Sequence, residues 1–521
     1  MGGNLFFIFS HMLSSKQKNI LLFSDILFSL ALALLFGAAY ILFWNFSWLV
    51  FFLSFICGIA LFSGGYKQRF LYPFVIFFLS FPFFLWFFSL KTDFSSLDTL
   101  VGKSFSQEVV ISGESVKEKT TQRVPFVFSY CQNEQCFEAE AYLRTQWWEV
   151  YQWGDHVRVS CTWELPEYNE ETQTDWKRIF ASRGPVLFCF DYGAKKTGQR
   201  TLSWGARLSD ARIGWETRLE KILPYPENAL GSGLLFGGSS RLSEEWEQKL
   251  NATSMTHIVA VSGYNVTLLV QYLSLFAILL GIRRQYSWLI AGFGIVLFIA
   301  LIGFPASGVR AAIMGALALF AVCGGTVNSG LRALFVASAC MVFVNPFILR
   351  YDVGFQLSVL ATAGILIGMP FCISFFRIHK LSFLRRTIAE MALTTLCAQM
   401  FVFPIILHSF GTFSFLSFFA NMAILWNIPL IMFFLFIALL VSFFSFFVAE
   451  IVSLGAFFLL FFNLSLIEVF SSLSYVATLP PLSNVVLILY SVILIGIFSW
   501  YYAKNRREKQ VQCKRYAMDE V

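Results

Sequence analysis

Residues 256–269 read THIVAVSGYNVTLL. Most of this run has the apolar character of a membrane helix, yet it opens on His257 and carries Ser262, Gly263, Tyr264 and Asn265. Each polar group costs free energy in hydrocarbon unless something satisfies it. The stretch is therefore read as a membrane segment whose polar groups serve a neighbouring helix or a cargo.

The rest of the chain supports a membrane setting. Of its 521 residues, 57% are hydrophobic, only 13% are charged and 63 are Phe, and the mean hydropathy is +0.68. A soluble chain carries roughly twice that charge fraction. Apolar runs of about 20 residues are expected near 20–43, 45–62, 70–90, 253–281, 288–304, 307–324, 331–344, 354–376, 387–409, 413–443, 448–472 and 484–503. The first is longer than the ~7–15-residue core of a cleavable signal peptide and reads as an uncleaved span. The expected fold is a polytopic α-helical membrane protein of about twelve spans, some broken or re-entrant, with a small extracellular β-barrel.

Lys and Arg in short loops set orientation. Threading the twelve spans brings Lys16/Lys18, Lys67/Arg69, Arg283/Arg284, the group from Arg377 to Arg386 and the tail AKNRREKQVQCKR onto one face. That face is expected to be cytoplasmic. Five parts follow: N-terminal helices over 1–90, an outer β domain over 91–205, a connector over 206–252, a channel-like membrane domain over 253–503 and a basic tail over 504–521.

Residues 91–200 hold 13 Lys/Arg against 16 Asp/Glu and five Trp, in strand-like runs broken by polar turns. About five strands would suit an oligonucleotide-binding (OB) type barrel. Cys131 and Cys136 flank QNEQ, so a disulfide across a hairpin is expected in an oxidising compartment, beside the alternative of free buried thiols. Trp147, Trp148 and Trp153 can stack on nucleic-acid bases, although core packing accounts for tryptophans equally well. In the connector, Leu208, Ile213, Trp215, Leu219 and Ile222 gather on one side of a surface helix, and NALGSGLLFGG is apolar but too short to cross.

Residues 253–503 contain nine Lys/Arg but four acidic residues, Asp352, Glu390, Glu450 and Glu468. Arg310 stands in FPASGVRAAIMGAL, where Pro305 and Gly308 interrupt a span. A cation there needs a partner, a water-filled cavity or an anionic substrate. His257, Ser262, Asn265, Ser307, Asp352, Gln356, Gln399 and Asn421 share that apolar setting, and Asp352 and Gln356 are one helical turn apart. Broken helices expose backbone dipoles to a cargo at mid-membrane. Each residue alone could equally bridge two helices; their accumulation favours a conduit.

Catalytic readings find little footing. Ser262 is not in a G-x-S-x-G elbow, five histidines show no zinc-hydrolase spacing, and GKS at 102–104 lacks the first glycine of a P-loop. The chain is read as a non-enzyme without cofactor or metal.

Four segments in order, GSGLLFGGSSRLSEEWEQKLNATSMTHIVAVSGYNVTLLV, FPASGVRAAIMGALALF, NPFILRYDVGFQLSVLATAGI and LCAQMFVFPIILHSFGTFSFLSFFANMAILWNIPLIM, resemble the membrane core of the ComEC competence proteins. The resemblance runs from about Ala229 to Ala503, and the front end resembles the same family's helical hairpin and OB-like domain. The family's H-x-x-A-x-S-G pattern falls on His257, Ala260, Ser262 and Gly263, its R-A-x-x-M on Arg310, Ala311 and Met314, its G-F-Q-L-S on Gly354 to Ser358, its helix glutamine on Gln399 and its A-N on Ala420 and Asn421. Where the family commonly has a second histidine, this chain has Tyr264 and Asn265. The C-terminal metallo-β-lactamase-like domain of many relatives has no counterpart before the sequence ends, so a separate nuclease would degrade the second strand.

The resemblance implies a channel for single-stranded DNA in the bacterial cytoplasmic membrane during transformation. It also implies membrane lipid, a DNA receptor and a cytoplasmic ATPase translocase as partners. The rival expectation is a secondary transporter of a small anion or an envelope precursor, with Arg310 and Asp352 as its binding and coupling pair.

Overall fold

The computed structural model describes residues 15–44, 72–91, 100–117, 121–132, 135–166, 168–169, 174–238, 241–259, 263–282, 284–304, 306–323, 330–414, 416–473 and 476–478, with scattered positions from 486 to 497. The expected span 45–62 and the basic tail lie outside the described residues, as do the side chains of Cys131 and Cys136.

Two apolar helices, α1 (Ser15–Trp44) and α2 (Tyr72–Lys91), pack side by side. The polar block then forms β1 (Ser104–Ile111), β2 (Val116–Lys117), β3 (Thr121–Gln132), β4 (Gln135–Gln146), β5 (Asp155–Glu164), β6 (Tyr168–Asn169), β7 (Thr174–Asp175), α3 (Trp176–Arg183), β8 (Phe188–Phe190) and β9 (Lys195–Arg200). The main strands pair in the order β1-β3-β4-β8-β5, and β5 returns to β1. All of these contacts are antiparallel except β4–β8. This closure gives a five-stranded barrel of the expected kind.

Strand alternation explains why the block folds this way. Val124, Phe126 and Phe128 of β3, Leu143 of β4, and Val157, Val159 and Trp163 of β5 fill the interior, while the residues between them face outward. The Trp163 ring lies 4.6 Å from those of both Phe105 and Phe128. Cys161 and Cys189 form a disulfide that ties β5 to β8, a pairing that sequence spacing does not single out. Cys131 and Cys136 stand opposite each other in the β3–β4 register.

The helical part consists of α4 (Trp204–Ile222), α5 (Glu227–Phe236), α6 (Glu244–Ala252), α7 (Thr256–Val259), α8 (Gly263–Leu279), α9 (Arg284–Leu301), α10 (Ala306–Cys323), α11 (Gly330–Val344), α12 (Ile348–Tyr351), α13 (Val353–Phe375), α14 (Phe383–Phe410), β10 (Thr412–Ser414), α15 (Leu416–Leu425), α16 (Ile428–Val441), α17 (Phe446–Leu473) and β11 (Val476–Thr478). Among the described residues, α13, α14 and α17 are each long and apolar enough to cross a membrane. Two bent pairs bring that number to five: residues 256–279, bent by 46°, and α15 with α16, bent by 44°. Shorter apolar helices occur at Phe28–Leu42, Ile76–Ser89, Gly292–Leu301 and Gly330–Val344. The chain is a multi-pass helical membrane protein.

Packing departs from a simple threading of spans in two places. The short apolar piece of the connector, α5, is buried in the main helical core with Ile431 and Leu435 of α16 and Leu460 of α17. Residues 413–443 form part of β10 and then a broken pair rather than one straight span. The turn after that pair touches α4, where Arg218 Nη1 donates to the Ser442 carbonyl at 2.9 Å. Hydrocarbon separates the two membrane faces by ~30 Å, so a surface-lying α4 on one face and a turn near 443 on the other do not both hold.

Two outcomes follow from this packing. Replacing Cys161 and Cys189 with Ser, which opens a bridge between positions 28 residues apart in sequence, should destabilise the barrel by about 2–4 kcal/mol; earlier hydrogen exchange of β5 and β8 amides measures it. At Gly364 a Cβ would lie 2.6 Å from the Cys397 carbonyl, so Gly364→Ala should force α13 from α14 and cost about 1–3 kcal/mol. Gly315→Ala, where a Cβ would meet nothing within 4 Å, should leave thermal unfolding in detergent unchanged or raise its midpoint.

Candidate functional site

The opening stretch becomes a short α7 followed by α8, with residues 260–262, including Ser262, outside the described residues. The N-terminus of α8 faces the first turns of α10. A Cβ built on Gly263 would lie 3.4 Å from Ala311 Cβ, 3.8 Å from Arg310 Nη2 and 3.8 Å from the Ser307 carbonyl. Gly263, Ser307 and Arg310 thus come together, as their sequence setting suggests. These are ordinary contact distances, so a methyl group would fit at 263 while anything longer would press on the guanidinium.

Arg310 is 4% exposed. Its Nη1 is buried with no hydrogen-bond partner, and among the described residues no carboxylate pairs with it. Burying a cation without a counter-charge costs several kcal/mol even after relaxation. A planar guanidinium so placed is suited to grip an anion through two parallel N–H donors.

A second polar group laces the broken spans together. His257 Nδ1 lies 3.1 Å from the Ser254 carbonyl, so it carries the proton, and the Asn421 side chain stands near the ring. Asn421 Nδ2 donates to the Ser417 carbonyl at 2.9 Å, and Gln399 Nε2 approaches Ser417 Oγ at 3.5 Å. Residues from α7, α15 and α14 therefore meet. Ser417 was not among the sequence-level candidates, although its place one turn before Asn421 is a legible signal. Asn265 serves a different tie, donating from Nδ2 to the Leu234 carbonyl of α5 at 3.1 Å.

Asp352 and Gln356 have local partners. Asp352 Oδ1 accepts from Phe355 N at 3.2 Å and caps α13, while Gln356 Nε2 donates to the carbonyls of Leu349 and Arg350 at 3.0 and 2.8 Å. Together they fix the corner between α12 and α13. Among the described residues Asp352 forms no ion pair with Arg310.

That corner is also where the barrel meets the helical core. Arg178 Nη1 of α3 donates to the Tyr351 hydroxyl at 3.2 Å, and Asn345 Nδ2 donates to the Ala181 carbonyl at 2.8 Å. On its other side α3 lies over the outward face of β3, β4 and β8. There the Arg123 guanidinium stands 5.1 Å from the Phe180 ring and 5.7 Å from Tyr142, and Arg144 stands 5.5 Å from Phe190. The corresponding face of OB barrels binds oligonucleotides and oligosaccharides. Sequence reading passed over these residues because Arg123 and Arg144 are 21 positions apart, and only their cross-strand register joins them.

The three tryptophans divide. Trp147 and Trp148 are exposed at the turn after β4, edge to face with centroids 6.2 Å apart. Trp153 is half-buried against the first turn of α4, where a Cβ on Gly205 would come within 2.3 Å of its ring. Among the described residues no three His, Cys, Asp or Glu side chains gather as a metal site would require.

A multi-pass helical core with bent spans, a buried cation and an attached five-stranded barrel make up the candidate site. Residues 234–503 match the family model described as Competence protein, and the chain belongs to that family. It is similar to ComE operon protein 3 of Bacillus subtilis (strain 168), with 26% identity over 204 residues, covering 39% of this chain and 25% of that protein. The matched part thus spans about a quarter of that relative's length. No solved structure matches the chain.

Removing the lacing amide should loosen the breaks while sparing the barrel. Asn421→Leu is expected to cost about 1–3 kcal/mol, read as faster hydrogen exchange in α7 and α15 with β1–β5 unchanged. Equal exchange throughout would show that the His257–Asn421 contact holds nothing.

Proposed function

We propose that this chain conducts single-stranded DNA across the bacterial cytoplasmic membrane, with the barrel outside and the basic tail in the cytoplasm. The observation that carries the reading is Arg310 of α10, a buried guanidinium with an unsatisfied Nη1 that faces Gly263 of the bent span 256–279. Membership of the competence protein family supports DNA as the anion.

Phosphates passing Arg310 where it faces Gly263 would supply the counter-charge that the guanidinium lacks. Ser262 and Ser307 would contribute hydrogen bonds along the same wall, while Asn265 holds α5 against it. Bases need sequence-tolerant stacking surfaces, and the Phe-rich helices offer them. At the barrel, strand contact would fall on the Arg123–Arg144 face or on Trp147 and Trp148. Force would come from a cytoplasmic ATPase translocase and delivery from a DNA receptor.

The small-anion transporter has less support, because Asp352, its coupling partner, is engaged in capping α13. Both readings are separated by one experiment. Proteoliposomes holding the chain should take up fluorescent single-stranded DNA, and Arg310→Ala should reduce the rate at least tenfold, the loss expected for more than about 1.4 kcal/mol of binding. Arg310→Lys should retain part of the rate, since it keeps the charge without the paired donors. Undiminished DNA entry through Arg310→Ala, or small-anion flux in its place, would sink the phosphate path.

A further inference from the structure

The connector helix α4 carries cations in two different states. Arg212 is engaged by Glu216 at 2.9 Å and by Glu114 of the barrel at 3.2 Å. Glu216 and Glu220 also take up Arg241, which follows α5. The acidic side chains on the later turns of α4 are thereby neutralised. Arg218 and Lys221 are not: among the described residues neither has a carboxylate partner.

These two charges stand over an apolar turn. Arg218 donates to the Ser442 carbonyl, and its guanidinium lies 4.3 Å from the Phe443 ring and 5.4 Å from Phe446. Lys221 Nζ lies 5.8 Å from Phe446 and is otherwise exposed. The turn itself, SFFSFFV from Ser442 to Val448, contains no charge, and Phe444 and Phe447 are 91% and 71% exposed. Four phenylalanines presented together on a reverse turn form a patch that water does not tolerate. The outer side of α4 adds exposed Trp204 near its start, with Arg207 5.6 Å from the ring, and exposed Tyr225 just beyond its end.

Uncompensated cations directly above exposed aromatics, flanked by Trp and Tyr, match the chemistry of a bilayer interface with acidic headgroups. We propose that Arg218 and Lys221, seated over the Phe443–Phe447 turn, form a binding site for the phosphate headgroup of an acidic phospholipid. Phe444 and Phe447 would lie among the acyl chains below that headgroup. The site anchors the junction between the barrel and the helical core, because the same helix binds Glu114 through Arg212. The inference does not depend on what the protein conducts.

The test uses the full chain in nanodiscs, comparing phosphatidylcholine alone with phosphatidylcholine containing phosphatidylglycerol, and native mass spectrometry to count retained phosphatidylglycerol. Wild type should retain phosphatidylglycerol over phosphatidylcholine. Lys221→Ala should lower that preference about fivefold and Lys221→Glu further, as expected from ~1 kcal/mol per basic residue near an anionic surface. Lys221→Arg should retain it. Lys221 makes no hydrogen bond among the described residues, so these variants keep the fold; Arg218→Ala, which also loses the Ser442 contact, serves as the second variant. Equal retention by wild type and Lys221→Glu would overturn the site. So would displacement of the lipid by free inorganic phosphate or by a short single-stranded oligonucleotide at equal charge, since either would make the headgroup an incidental occupant.

Discussion

In hydrocarbon no water completes the hydrogen bonds that a broken helix leaves open, so the protein must supply every partner itself. This chain breaks two of its spans, at residues 256–279 and 416–441. The two bent spans come together ahead of their bends, where His257 of the first stands near Asn421 of the second, and Asn421 in turn bonds the Ser417 carbonyl. Just beyond, Asn427 and Asn463 exchange amide hydrogen bonds at 2.8 and 3.0 Å, both side chains almost wholly buried. Amides satisfied in this way rigidify their neighbours, because opening one leaves two polar groups unpaired.

The barrel meets this core through polar side-chain contacts of α3. Tyr351 and Asn345 bracket α12 and hold α3, while Asp352 and Gln356 stiffen the corner on which Tyr351 sits. A displacement of α3 on the barrel face would therefore act on the first turn of α13. On the far side of the barrel, Arg200 bonds Asp210 at 2.7 Å and Trp153 packs on Gly205, so α4 moves with the barrel too. The barrel is thus held by α3 where it meets α12 and by α4 where the chain leaves it.

What could be read from the sequence follows from which forces are local. Hydropathy identified the helical core, alternation identified the barrel strands, and single polar residues in apolar runs identified Arg310, His257, Gln399 and Asn421. The strand closure that makes five strands a barrel depends on pairing β1 with β5, about 50 positions away, and no local pattern encodes that. Cys161 and Cys189 meet only because β8 lies beside β5. Asp352 and Gln356 show the opposite limit: their one-turn spacing was legible, but spacing does not reveal that both are turned onto the backbone of their own corner. The bend between α15 and α16 did leave a signal, Pro429 in the first turn of α16 just after Trp426 and Asn427, because a proline cannot continue a preceding helix without losing a hydrogen bond.

The cations of the helical core show why Arg310 stands apart. Lys91 donates to the carbonyls of Phe343 and Val344 at the end of α11, and Arg350 donates to the Leu42 carbonyl near the end of α1. Both follow the rule that a helix C-terminus welcomes positive charge. Arg386 pairs with Glu390 one turn away. Arg310 instead lies near the start of α10, where the helix dipole opposes a cation, and it is buried with an unsatisfied donor. A penalty of several kcal/mol is a large part of the 5–15 kcal/mol that holds a typical protein together. An apolar residue of similar volume would remove that penalty, so packing alone gives no reason for a guanidinium here. On the proposed path a phosphate would supply the missing acceptors while it passes, and the cost of leaving the guanidinium unpaired would become part of the attraction that draws it in.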